Sequence, residues 1–114
     1  MNDKQYVYLA CPYSHEDPQV REQRFNEANI CAGKLMDAGF IVYSPISHSH
    51  PIAVAHDLPK GWSFWGRIDE TFVHFCTAVF ILKLPGWEES TGVKAEMELA
   101  AKYGKPILFL SKNS

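Results

Sequence analysis

No apolar run in the 114-residue chain approaches the roughly 18–20 residues that a membrane-spanning helix needs. The opening Met1-Asn2-Asp3-Lys4-Gln5 places no apolar stretch behind its charges, so a signal peptide is not expected. A basic surplus is missing too. Eleven Lys and Arg against thirteen Asp and Glu leave a formal net charge of −2, which argues against a nucleic-acid partner held through phosphates. Cysteine is scarce: Cys11, Cys31 and Cys76 are odd in number, far apart and without a Cys-x-x-Cys pair. That spacing suggests neither a zinc site nor a redox dithiol, and a reducing cytoplasm is the expected compartment. There is no P-loop, no complete Gly-x-Gly-x-x-Gly, no Ser-His-Asp spacing, no internal repeat and no low-complexity segment, and no cofactor is implied.

What remains is 46% hydrophobic and 21% charged, the balance of one folded domain over residues 1–114. Aromatics are plentiful, with three Trp, five Tyr and seven Phe, and several stand in polar or Gly/Pro-containing segments. In such places aromatic rings line a pocket or an oligomer contact. A short chain has a small core, so a homo-oligomer is expected, with 61–75 as the candidate contact surface.

Tyr6–Cys11 reads as a buried strand stopped by Pro12, and a loop runs on to Pro18. Phe25, Ala28, Cys31, Ala32, Leu35 and Met36 then recur at helical spacing, and Gly39 ends the helix. Phe40–Ser44 is a second strand, 46–61 reads as irregular loop, and 63–75 reads as a helix on Phe64, Ile68, Phe72 and Phe75. Cys76–Leu82 is the third strand. Ser90 caps a helix to about Tyr103, and Ile107–Leu110 is the last strand. This order predicts an α/β protein, a small Rossmann- or flavodoxin-like three-layer fold with a mainly parallel sheet of four to five strands. Ligands in such sheets bind beyond the carboxyl ends of the strands, which here lead into 12–17, 45–50 and 84–92.

Several residues at that edge carry chemistry. Val93, Met97 and Ala100 form the inward stripe of the last helix, and Glu96 falls on or beside it. Such a carboxylate either reaches solvent at the stripe's border or loses hydration for a functional reason. Glu98 and Lys102, four apart, are expected to pair on the surface. Tyr13 and Ser14 could hydrogen-bond a sugar hydroxyl or stack on a base, or simply pack in their loop. Ser90 begins a helix whose N-terminus favours anions. His48 and His50 flank Ser49; metal binding is disfavoured without a third nearby ligand, and the pair reads as hydrogen-bonding residues of the ligand edge, His48 foremost, or as plain loop structure. Trp87 beside Pro85-Gly86 reads as a lid or base-stacking residue, while Trp62 and Trp65 suit an interface as easily as that role. Cys11 and Cys76 read as buried and inert.

Gly92-Val93-Lys94-Ala95-Glu96, after a strand and an acidic turn, resembles the Gly-Val-x-x-Glu motif of the nucleoside 2-deoxyribosyltransferase superfamily, which includes 2′-deoxynucleoside 5′-phosphate N-hydrolases. The resemblance implies that Glu96 is the nucleophile on the sugar's anomeric carbon. It sets Ser90 where the hydrolases bind phosphate and Asp69, eight before Thr77, where the family carries an active-site acid. Tyr8-Leu9-Ala10-Cys11-Pro12-Tyr13-Ser14 resembles the family's first strand and substrate loop, and Gly104-Lys105-Pro106-Ile107 its last turn and strand. Two departures stand out. Thr77 replaces the family's Asp near the start of the third strand, and Pro12-Tyr13-Ser14-His15 replaces a Gly-Ser-Ile-Arg-like phosphate loop. The motifs Ala-Cys-Pro-Tyr-Ser, Ser-Pro-Ile-Ser-His and Pro-Gly-Trp-Glu-x-Ser resemble an uncharacterised bacterial and phage branch.

The function this implies is cleavage or transfer at the N-glycosidic bond of a nucleoside or nucleotide, with Glu96 attacking and Asp69 as acid or positioning partner. Asp69 also has a plain alternative, a surface ion pair with Arg67. A non-catalytic module sensing a nucleotide derivative, and an accessory protein whose surface binds another protein, are the competing classes.

Overall fold

The computed structural model describes residues 5–59 and 61–112; residues 1–4, 60 and 113–114 lie outside them. Four strands, β1 (Tyr6–Ala10), β2 (Ile41–Tyr43), β3 (Ala78–Leu82) and β4 (Ile107–Leu110), form one sheet in the order β2-β1-β3-β4. Every neighbouring pair is parallel, and Tyr8 in β1 sits between Tyr43 and Val79 in register. The expected mainly parallel α/β architecture is what the chain adopts, with four strands.

Strand alternation divides the core. Val7 and Leu9 of β1, with Phe80 and Leu82 of β3, face α1 (Pro18–Asp37) and its buried Ala28 and Ala32. Tyr8 and Ala10, with Val79 and Ile81, face the other way onto α3 (Trp62–Phe75) and α4 (Thr91–Lys102), which contribute Val73, Val93 and Ala100. Among the described residues, no helix is long and apolar enough to cross a membrane.

Four local expectations need correction. The stretch read as loop after β2 is largely a helix, α2 (Pro45–His56), despite Pro51 in its interior. An interior proline removes a backbone hydrogen bond and costs about 3 kcal/mol, and the Ser/His/Pro composition hides any apolar period. Tertiary contact holds this helix instead: Pro45, His50 and Ala53 are buried. It ends at Asp57, in the left-handed region at φ 54°, with the Asp57 and Leu58 N–H groups both donating to the Ala53 carbonyl.

On α3 the stripe of large residues points outward. Phe72 and Phe75 are exposed, and the inward face is Gly66, Asp69 and Val73. Asp69 is therefore no surface partner of Arg67. Lys102, expected to pair with Glu98, instead reaches Glu70 on α3 at 3.2 Å. Thr77 lies at the amino end of β3, where its hydroxyl accepts from the Tyr6 N–H at 2.8 Å and donates to the Tyr6 carbonyl at 3.2 Å. It serves strand pairing at the sheet edge opposite the ligand edge.

Candidate active site

Chain order reverses at β1, since β2 lies on one side of it and β3 on the other. A crevice forms outside the carboxyl ends of the strands at such a switch point. A cavity of about 470 Å³ occupies this place, lined by Cys11, Tyr13 and Ser14 after β1 and by Ile46, Ser49, His50 and Ala53 of α2. Trp62, Trp65 and Asp69 of α3 form another wall, and Glu89, Ser90, Thr91, Gly92 and Glu96 complete it from the α4 side.

Glu96 is 5% exposed, and the phenol of Tyr8 donates a hydrogen bond to its Oε2. The pairing follows from the sequence period. Glu96 lies three residues after Val93 and four before Ala100, so it shares their buried face and meets the even-numbered side chains of β1. Burial pushes the Glu96 carboxyl up to about 8; the Tyr8 hydrogen bond pulls it down, and the Asp69 charge pushes it up again. Asp69 is 7% exposed and is raised by burial to about 7. Desolvation thus dominates in both, and their charges oppose each other. The two titrate as a pair that retains a proton around neutrality.

Asp69 Oδ1 is buried without a hydrogen-bond partner among the described residues, whereas the buried hydroxyls of Ser49 and Tyr43 stand beside each other. An orphaned buried polar atom costs on the order of 1–3 kcal/mol and calls for an explanation. Asp69 and Ser49 line the cavity. Tyr43, stacked on Phe72 with centroids 3.9 Å apart, has its phenol pushed up to about 12 by burial and then by the Asp69 charge.

Across the cavity, Tyr13 Oη lies 2.5 Å from Nδ1 of His50, whose Nε2 is 2.9 Å from Glu22 Oε1. Ser90 caps α4, its Oγ accepting from the Val93 N–H at 3.1 Å. The rim is tied by Arg24, whose guanidinium donates to the carbonyls of Ser14 and Pro85, each at 3.0 Å. Gly86 permits this, because a Cβ there would stand 2.8 Å from Arg24 Nη2 and its φ of 90° suits glycine. Gly66 does the same for a wall: a Cβ would meet Trp62 Nε1 at 2.8 Å.

Glu96, Asp69, Tyr13, Ser14, Ser90 and Gly92 therefore meet at one cavity. His48 and Trp87 do not. In a helix, residues two apart point to nearly opposite sides, so His50 turns inward while His48 stays exposed against the Tyr43 ring. The 3-10 turn Trp87–Glu89 lays the Trp87 ring near Phe109 of β4, with centroids 5.5 Å apart. The tryptophans at the cavity are Trp62 and Trp65, which the sequence left open between a pocket role and an interface. Glu22, Arg24, Ser49 and Tyr43 escaped the sequence reading as site residues, and His50 was weighed there only alongside His48. Tyr43 alone carried a signal, its register beside Tyr8. Cys11 borders the cavity, but burial raises its thiol far above the ordinary range and keeps it protonated. Among the described residues, no three His, Cys, Asp or Glu side chains gather to hold a metal ion.

Residues 5–112 match a family described as a domain of unknown function, DUF1937. The chain belongs to this family. No curated protein matches it. Among solved structures, this DUF1937 chain is similar to a 2-deoxyribosyltransferase from the psychrotolerant bacterium Bacillus psychrosaccharolyticus. The TM-score is 0.62 at 20% identity, covering 93% of this chain and 72% of that one. At that identity the likeness is one of fold, and it supports the same parallel α/β layering for the DUF1937 domain.

Proposed function

We propose that this protein cleaves or transfers at the N-glycosidic bond of a nucleoside, using Glu96 as nucleophile and Asp69 as acid. The observation that carries the reading is a buried carboxyl group, Glu96, held by the Tyr8 phenol at a cavity that also meets Asp69, whose Oδ1 has no partner among the described residues. Burial raises both carboxyls, Glu96 to about 8 and Asp69 to about 7. Glu96 therefore attacks from the fraction of molecules in which the shared proton sits on Asp69, an arrangement that the hydrogen bond from Tyr8 favours. The charged Glu96 oxygen forms a bond to the anomeric carbon as the carbon–nitrogen bond breaks, and its electron pair leaves with the base. Asp69 donates its proton to the departing base. Water or a second base then attacks the anomeric carbon and frees Glu96, giving hydrolysis or transfer. Similarity in fold to a 2-deoxyribosyltransferase is consistent with this chemistry.

Charge favours a nucleoside over a nucleotide. The described lining includes three carboxylates, Asp69, Glu89 and Glu96, and no lysine or arginine. Arg21 and Arg24 donate to the loop carbonyls of His15, Ser14 and Pro85, and Arg21 also stands beside the Tyr13 hydroxyl. A phosphate would find no cation among the described lining residues themselves. Self-association through the exposed Phe72 and Phe75 side of α3 accompanies this reading.

The test incubates the protein with deoxynucleosides and their 5′-monophosphates and measures free base by chromatography. Base release from nucleosides, lost in Glu96→Ala, is the expected result; full activity in that variant sinks the assignment. A ligand that raises Tm without any release of base would instead establish the sensing module.

A further inference from the structure

We infer that Glu22, His50 and Tyr13 form a relay that turns the Tyr13 hydroxyl into a hydrogen-bond acceptor toward the cavity, so that this wall selects a ligand offering a donor group. The selective role rests on the cavity being the nucleoside site proposed above; the relay itself rests on geometry. A carboxylate only accepts, so the proton between Glu22 Oε1 and His50 Nε2, 2.9 Å apart, belongs to the nitrogen. A neutral imidazole protonated at Nε2 presents a bare lone pair at Nδ1. With the ring in that form, the phenol 2.5 Å from the lone pair gives it the single proton it owns. Any other neighbour of the Tyr13 oxygen then has to donate, as the Arg21 guanidinium beside it is equipped to do.

The arrangement is held from three elements. Glu22 stands on α1, His50 on α2 and Tyr13 in the loop after β1. The Phe25 ring covers the imidazole at 4.4 Å between centroids, and Tyr13 meets its edge at 74°. His50 is buried and, with Tyr13, borders the cavity, which explains why α2 persists around Pro51 in a sequence with little helical period. The donor on the ligand is a sugar hydroxyl or a base amine, the shared chemistry being an O–H or N–H aimed at the Tyr13 oxygen.

The first test needs no ligand. Nitrogen-15 NMR at pH 7.5, with the His50 signals assigned by their loss in His50→Gln, should show the ring protonated at Nε2 alone. Glu22→Lys, a change at a half-exposed position, replaces the acceptor with a donor and should move the proton to Nδ1. A wild-type ring carrying a proton on Nδ1 overturns the relay, as does a tautomer unchanged by Glu22→Lys. The second test measures Kd by calorimetry in Glu96→Gln, where turnover is blocked. The probes are 2′-deoxyadenosine, its analogue lacking the amine and its analogue lacking the 5′ hydroxyl. Loss of the group that Tyr13 accepts should weaken binding about fivefold to tenfold, and Tyr13→Phe should abolish that difference.

The analogue that couples identifies the donor as sugar or base. No coupling with either overturns the selective role. Coupling without base release from any nucleoside leaves the relay standing and removes the enzyme reading. Release that depends on Glu96 without coupling does the reverse, and no binding of any probe overturns both.

Discussion

The two faces of the sheet are made from the same strands by alternation, yet they differ in kind. Toward α1, Val7, Leu9, Phe80 and Leu82 pack on Ala28 and Ala32 in a core without a charge. Toward α3 and α4, Tyr8 and Ala10 share their layer with Glu96 and Asp69, both buried and both raised by that burial. One face maximises packing; the other gives up stability to keep two carboxyls away from water. Such a sacrifice points to chemistry, because a domain of this size has little stability to spare.

The largest test of this contrast is Glu96→Ala, expected to lower base release about a thousandfold or more by removing the attacking group. Assays at saturating nucleoside check it, with circular dichroism confirming the fold. On the opposite face, Leu9→Ala should cost about 3 kcal/mol in denaturant unfolding through the cavity it leaves. The surviving folded protein should keep its kcat within about twofold; a large kcat loss would show that the faces are not separable. Tyr8→Phe removes the hydrogen bond that favours charged Glu96. Its pH–rate profile should move its acid limb upward, with kcat down about tenfold to a hundredfold at pH 7.

Glu96→Gln should stabilise the protein on the order of 2 kcal/mol at pH 8. Between the ordinary Glu value near 4.5 and the raised value near 8, the folded chain holds a proton that the unfolded chain releases. Wild-type stability therefore falls as pH rises through that window, and the amide variant escapes its share of the fall. Urea midpoints at pH 5 and pH 8 read the difference. Smallest of all, Arg24→Ala should raise KM a fewfold and change stability by less than about 1 kcal/mol, since its bonds are exposed and join loops only.

The fold was legible because its four strands are near-continuous apolar runs and its longest helix repeats at three and four residues. Glu96 was legible for a related reason, as a carboxylate in phase with Val93 and Ala100. The α2 helix was not, because its inward positions are Pro45, His50 and Ala53, none of which announces an apolar face. With that helix missed, His48 and His50 looked equivalent, and the relay to Glu22, 28 residues earlier, had no local signal. Trp62 and Trp65 stayed open between pocket and interface because periodicity weighs large residues. On α3 a neighbour that lets Trp62 sit close is Gly66, which the pattern counts as nothing.

The Arg24 clamp has a mechanical side. By donating to the carbonyls of Ser14 and Pro85 together, it ties the loop after β1 to the loop after β3. The facing side of the cavity is built from helices instead, α2 and α3, which meet it with His50, Trp62 and Trp65. One wall is thus two loops held by a cross-brace, and the other is made of two helices.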